Sequence, residues 1–227
     1  TIHHKPIIDK YLSQLNKTSI FLEAGCGLGQ WCYYVANNYG IQAIGVDIAE
    51  ETIRKMNEYL ACSKSKAKVA FICDDLNNAK LDEELADMFI SLGVIEHFAD
   101  SRPMMRSLFK ILKPGGVGLI TVPNIYSIHT MTRPILQLLN KWEIGYEKSF
   151  SPTALKELSI DAGFKVIEGG VIHSGEMFGC FLNALTILGK YIEKLSLRIE
   201  RNQSTFGFIS YVIVSKTIDS PGLRRVS

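Results

Sequence analysis

No two cysteines in this chain have the C-x-x-C spacing, no apolar run approaches the roughly 20 residues that cross a bilayer, and neither sign of charge predominates. Each absence closes a class of function. The five cysteines, Cys26, Cys32, Cys62, Cys73 and Cys180, argue by number and spacing against a disulfide framework or a zinc centre, and fit reduced thiols. Without a spanning segment, stable membrane insertion is not expected. A formal net charge of +2 implies no strong electrostatic pull towards nucleic acid or an anionic membrane. With 47% hydrophobic and 21% charged residues and only seven prolines, the composition excludes a disordered or fibrous chain. The opening Thr1-Ile2-His3-His4-Lys5 has neither an initiator methionine nor the pattern of a signal peptide, which leaves the extent of the natural N-terminus open, and a cytoplasmic location is expected.

What the chain does have is one organising stretch, Ile20 to Trp31. Ile20 to Leu22 reads as a buried strand, the next residues form a glycine-rich turn, and helical character returns from Trp31 to Tyr39. Glycines admit positive φ and let a ligand lie against bare amides, while the helix N-terminus offers unpaired N–H groups to an anionic group. Spacing narrows the ligand. A nicotinamide or flavin fingerprint places glycine first, third and sixth, and the sixth position from Gly25 is Gln30. The pattern instead is an acid followed by alternate glycines, Glu23, Gly25, Gly27 and Gly29, then a second apolar strand, Ile41 to Val46, ending in Asp47. A carboxylate at a strand tip can accept both hydroxyls of a ribose.

Strands and helices then alternate. A short amphipathic helix over Pro6 to Leu15 precedes the first strand and is expected on the sheet edge; a helix with Glu50 and Glu51 in its first turn runs to about Ala61. A third strand, Val69 to Cys73, leads into Asp74-Asp75; a fourth, Met88 to Leu92, exits through Gly93-Val94-Ile95-Glu96-His97-Phe98. A helix from Ser101 to Leu112 and the sharp Lys113-Pro114-Gly115-Gly116 turn lead to a fifth strand, Val117 to Val122. Further on come a helix from Ser151 to Ala162, a sixth strand over Phe164 to Ile167 and a last strand over Phe206 to Val214. This order predicts an α/β fold: a Rossmann-like doubly wound sheet of seven strands, mostly parallel with an antiparallel last strand. Ligands of such sheets bind outside the carboxyl ends of the strands. The chain is expected to form a single domain, 1–227, with helical cap insertions at 124–150 and 174–202.

The run Glu23-Ala24-Gly25-Cys26-Gly27-Leu28-Gly29, the strand-ending Asp47 and Asp74, the loop Ser91 to Phe98 and the Leu112 to Asn124 stretch (LKPGGVGLITVPN) together resemble the class I S-adenosylmethionine-dependent methyltransferases. The nearest likeness is to the small-molecule, ubiquinone-biosynthesis type; it covers about residues 20 to 123, and residues 149 to 167 also resemble that family. The resemblance implies S-adenosyl-L-methionine as cofactor, with Glu23 and Gly25 to Gly29 under its methionine part. It places Asp47 on the ribose, Ile48 on the adenine with Asp74 near the adenine amino group, and Leu92 and Gly93 at the methionine amine. Trp31 would line the same cleft. Some relatives carry Glu-x-x-Glu-His after the fourth strand and hold a metal; here Gly93 stands at the first Glu position, so no metal is expected, with Glu96 and His97 the ligands that would remain for one.

Methyl transfer from a sulfonium asks the protein to align a nucleophile and exclude water. For a phenol or alcohol acceptor a base must take a proton, and His97 is placed for it, since imidazole titrates near neutrality. Capping the following segment is the alternative role for Glu96 and His97, and the residues leave both open. His129, Arg133, Trp142 and Tyr146 in the first cap, and His173, are candidates for the acceptor pocket. The stripe Phe181, Leu185, Leu188, Ile192, Leu195 and Ile199 is read as core or homodimer contact, and the apolar stretch 177–189 leaves a hydrophobic acceptor open. The expected activity is methyl transfer to a small molecule at oxygen. Carbon or nitrogen acceptors, a non-catalytic cofactor-binding module and a nicotinamide oxidoreductase are the rivals.

Overall fold

The computed structural model describes residues 4–62, 67–140, 142, 145–172 and 205–218. Strands β1 (Ile20–Ala24), β2 (Gln42–Asp47), β3 (Val69–Cys73), β4 (Ala86–Leu92), β5 (Leu112–Pro123), β6 (Lys165–Ile172) and β7 (Ile209–Ser215) form one sheet in the order β3-β2-β1-β4-β5-β7-β6. The pairings from β3 through β5 are parallel, and β7 runs antiparallel to both β5 and β6. The seven-stranded mixed sheet foreseen from the alternation of elements is therefore present.

Strand side chains point alternately to the two faces, and here both faces are covered, which is why Ile20 to Leu22 of β1 and Met88 to Ile90 of β4 are apolar at every position. On one face Phe21, Met88, Ile90 and Leu119 pack with α1 (Lys5–Leu12), α2 (Gln30–Tyr39) and α3 (Glu50–Cys62). On the other, Leu22, Phe89 and Ile120 pack with α4 (Arg102–Ile111) and α6 (Pro152–Asp161). The first helix lies on the sheet face, in one cluster with Trp31 and Val35, and not on the edge where its amphipathic pattern alone placed it. Its buried Ile8, Tyr11 and Leu12 each contribute roughly 1.5–3 kcal/mol by leaving water.

Local signals set the ends. Gly40, in the left-handed region at φ 67°, closes α2 with its N–H on the Ala36 carbonyl. Ser151 caps α6, accepting from the Ala154 amide at 3.1 Å, with Pro152 in the first turn. The Lys113 to Gly116 stretch, expected as a sharp turn, is taken into β5, with a register shift between Ala86 and Met88 on β4. The sixth strand is longer than its sequence pattern, reaching Ile172 because β7 pairs along it. A helix, α5 (Ile128–Leu138), stands in the first cap segment. His173 and the second cap, 174–202, lie outside the described residues.

Candidate active site

The chain runs outward from β1 to β3, then returns across the sheet to β4, so β1 and β4 are neighbours at the point where the winding reverses. A crevice opens at the carboxyl ends of strands there. Two cavities, of about 290 and 260 Å³, meet at Gly25. The larger is lined by Glu23, Leu28, Trp31 and Leu92 among others, the smaller by Asp47, Ile48, Asp74, Gly93, Val94 and His97 among others.

The turn between β1 and α2 is built by its glycines and by two carboxylates. Gly25 sits at φ 74°, and a Cβ there would lie 2.4 Å from a Val94 methyl, so only glycine lets the β4 exit loop close against it. Gly29, at φ 64°, is the residue before α2, and a Cβ on it would lie 2.2 Å from the Phe71 ring. The Asp47 carboxylate accepts from the Gly27 amide at 2.8 Å and the Ala49 amide at 2.9 Å, one oxygen each. It thereby fixes the glycine turn and the start of α3, while its remaining lone pairs are available at the cavity wall. Asp74 accepts from the amides of Asp75 and Lys80, and its own amide donates to the Asp47 carbonyl at 3.1 Å.

Glu23 is buried at the end of β1 and accepts from the Cys32 amide at 2.9 Å. Burial pushes its carboxyl up to about 7, against the lowering effect of the Cys32 and Trp31 amides and with a further rise from Asp47. A buried carboxyl of this kind favours a cation beside it. Ile48 is the reverse case, an aliphatic side chain 64% exposed at the rim of the smaller cavity, a surface for an apolar ring.

His97 is exposed, in the short 3-10 turn Ile95–His97, and lines the smaller cavity. Its Nδ1 is 2.9 Å from the Tyr146 carbonyl. A carbonyl only accepts, so Nδ1 carries the hydrogen and the neutral ring keeps its lone pair on Nε2. Glu96 turns inward and is 2% exposed, and its Oε2 has no hydrogen-bond partner among the described residues. Desolvation, with Glu147 nearby, pushes its carboxyl up to about 8. Arg133 does not line either cavity: it is half-buried against Glu147 in an ion pair, with its guanidinium over the Trp142 ring at 5.1 Å. Tyr146 contributes its carbonyl and leaves its ring exposed. The His129 side chain lies outside the described residues. No group of three or more metal-ligating side chains occurs among the described residues.

Every residue read from the sequence as cofactor-binding falls at this crevice: Glu23, Gly25, Trp31 and Leu92 line the larger cavity, Asp47, Ile48, Asp74 and Gly93 the smaller, and Gly27 and Gly29 the turn between β1 and α2. Sequence reasoning missed the Arg133–Glu147 pair as a unit and the burial of Glu96. Glu96-His97 is the signal that was present in the sequence, but a dipeptide does not show which side chain turns inward.

A mostly parallel sheet with an antiparallel β7 and a carboxylate-and-glycine crevice at the switch point define a class, the Rossmann-like methyltransferases. A model described as a methyltransferase domain matches residues 5–169, and the chain belongs to this S-adenosyl-L-methionine-dependent family. It is 28% identical over 99 residues to norajmaline N-methyltransferase of Rauvolfia serpentina, which covers 44% of this chain and 34% of that relative's length. The chain thus spans about a third of a curated relative it matches. Among solved structures, the methyltransferase partner in a complex with the Haloferax volcanii Trm112 methyltransferase activator superposes with a TM-score of 0.69 at 19% identity, over 95% of this chain and 90% of that one. Phosphoethanolamine N-methyltransferase 2 of Haemonchus contortus, in complex with S-adenosyl-L-methionine, gives 0.65 at 17% identity, over 94% and 52%.

Proposed function

We propose that this chain moves a methyl group from S-adenosyl-L-methionine to a small-molecule acceptor, at oxygen, with His97 receiving the acceptor's proton. The cofactor supplies a methyl already activated by the positive sulfur. The chain's own residues hold and align. Asp47 would take the ribose hydroxyls, Ile48 the adenine face and Asp74 its amino group. Glu23, close to neutrality before binding, would hold a cationic amine beside the glycine turn. The observation that carries the reading is the hydrogen bond from His97 Nδ1 to the Tyr146 carbonyl. It leaves Nε2 as the proton acceptor of a residue that lines the cavity shared with Asp47 and Asp74.

A second reading, transfer to an amine nitrogen, is favoured by the N-methyltransferase among the relatives. The same imidazole would then take the proton that nitrogen sheds. Product S-adenosylhomocysteine is to be measured over a panel of phenols, alcohols and amines, for the wild type and His97→Gln. Turnover on phenols or alcohols that falls about 10²-fold or more in the variant supports the first reading. Turnover confined to amines sinks it in favour of the second. Turnover unaffected by the substitution removes His97 from the chemistry under either reading.

A further inference from the structure

The base reading leaves open what holds the His97 ring, a small imidazole on an exposed 3-10 turn. Its Nδ1 contact is a main-chain carbonyl, that of Tyr146, so the ring is only as fixed as the segment bearing that carbonyl. That segment, 145–149, is gripped from two sides. From the exit loop of β4, the Glu96 carbonyl accepts from the Lys148 amide at 2.9 Å, and the Ala99 carbonyl accepts from Lys148 Nζ. From α5, Arg133 spans the rest: Nη1 donates to the Glu147 carbonyl at 2.6 Å, and Nη2 donates to the Glu147 carboxylate and, at 2.8 Å, to Ser149 Oγ. The Arg133 and Glu147 side chains are 13% and 6% exposed, so the pair is shielded from water.

We propose that Arg133 is a positioning residue: through Glu147 it fixes the Tyr146 carbonyl, and so selects the His97 tautomer with hydrogen on Nδ1 and the lone pair on Nε2. The proposal rests on the base reading for its catalytic meaning, but the tautomer can be read without any acceptor. Three features make arginine the residue for the task. Its planar fork reaches a carbonyl, a carboxylate and a hydroxyl at once, which an ammonium does not do with fixed geometry. The guanidinium lies over the Trp142 ring, and Trp142 Nε1 donates to the Gly145 carbonyl at 2.9 Å, so the residue before Tyr146 is tied to the same cluster. Thr130, a turn earlier on α5, exchanges a hydrogen bond with Ser149 at 2.7 Å and donates to the Asn124 carbonyl at the end of β5 at 2.8 Å. The clamp is thus anchored to the sheet. Without it the Tyr146 carbonyl loses its fixed place, and the neutral imidazole reverts to the Nε2–H form that free histidine favours, with no lone pair at the reacting end.

The test is long-range 1H–15N correlation spectroscopy of the 15N-histidine-labelled protein bound to S-adenosylhomocysteine, at about pH 8.5, where an ordinary imidazole is neutral. His97→Gln assigns the resonance. The wild type is expected to show Nδ1 protonated and Nε2 unprotonated. Arg133→Met is expected to shift the tautomer ratio about fivefold towards Nε2–H, the loss of one ordinary hydrogen bond. Glu147→Gln, which keeps an accepting oxygen but removes the charge, is expected to move it the same way by less, and it decides the matter alone if Arg133→Met fails to bind S-adenosylhomocysteine. A wild-type ring protonated on Nε2, or a ratio unchanged in a variant that still binds, overturns the proposal. Should His97→Gln leave turnover intact, the base reading falls while the tautomer result stands.

Discussion

Two carboxyl groups, Glu23 in the crevice wall and Glu96 buried beneath the β4 exit loop, are held away from their ordinary behaviour, and each makes its own prediction. Glu23 sits at about 7 because it is buried, although the Cys32 amide points at it. A cation bound beside it favours the ionised form, so cofactor binding near pH 7 is expected to release up to about half a proton from this residue. Calorimetry in buffers of different ionisation enthalpy measures that release, which Glu23→Gln should abolish; an unchanged release in the variant would place the linkage elsewhere. Glu96 is the second case, raised to about 8. Its folded-state value lies above the unfolded one, so its favourable effect is complete below about pH 4 and is lost as pH rises towards 8. Glu96→Gln is therefore expected to flatten the fall in melting temperature between about pH 5 and 8. An identical pH dependence in the variant would mean that Glu96 is not protonated in the folded chain.

At the scale of elements, α1 is the piece whose role the sequence showed least well. Its apolar spacing was legible, but its docking depends on Asp9, which no motif marks. Asp9 receives hydrogen bonds from the hydroxyls of Tyr34 at 2.6 Å and Tyr39 at 2.7 Å, both on α2, and an ion pair from Lys5. Burial tends to raise its carboxyl, but these donors outweigh it and hold the group below the usual range. Asp9→Ala is expected to cost about 1–3 kcal/mol, reduced by partial exposure, and to raise amide exchange in α1 first. Exchange unchanged in α1 would show that Ile8, Tyr11 and Leu12 suffice. The same distinction explains the other elements. Strands β1 to β4, α2 and α3 were readable because local signals and tertiary placement agree there: glycine ends, acidic first turns, apolar runs. The extents of β5 and β6 were not, because pairing with β4 and β7 draws in residues whose own pattern is a turn or a loop. Likewise the Arg133–Glu147 clamp joins residues 14 apart, across a segment with no pattern of its own.

For the molecule as a whole, the order of strands does most of the work. The reversal between β1 and β4 brings Glu23, Asp47, Asp74 and Gly93 to one crevice from four different strand ends. Their positions in the sequence already implied that convergence, since each falls at or just past a strand's carboxyl end. What governs the acceptor was not legible: the first-cap residues read as candidates for it have distant partners, and 174–202 lies outside the described residues. The central claim is that this crevice holds S-adenosyl-L-methionine through Asp47. Calorimetric titration with S-adenosyl-L-methionine, S-adenosylhomocysteine and NAD, for the wild type and Asp47→Ala, tests it most directly. The account predicts binding of the first two and not of NAD, weakened about 10- to 100-fold in the variant by loss of charge-assisted hydrogen bonds to the ribose. Equal affinity in the two proteins, or binding of NAD in preference, would contradict it.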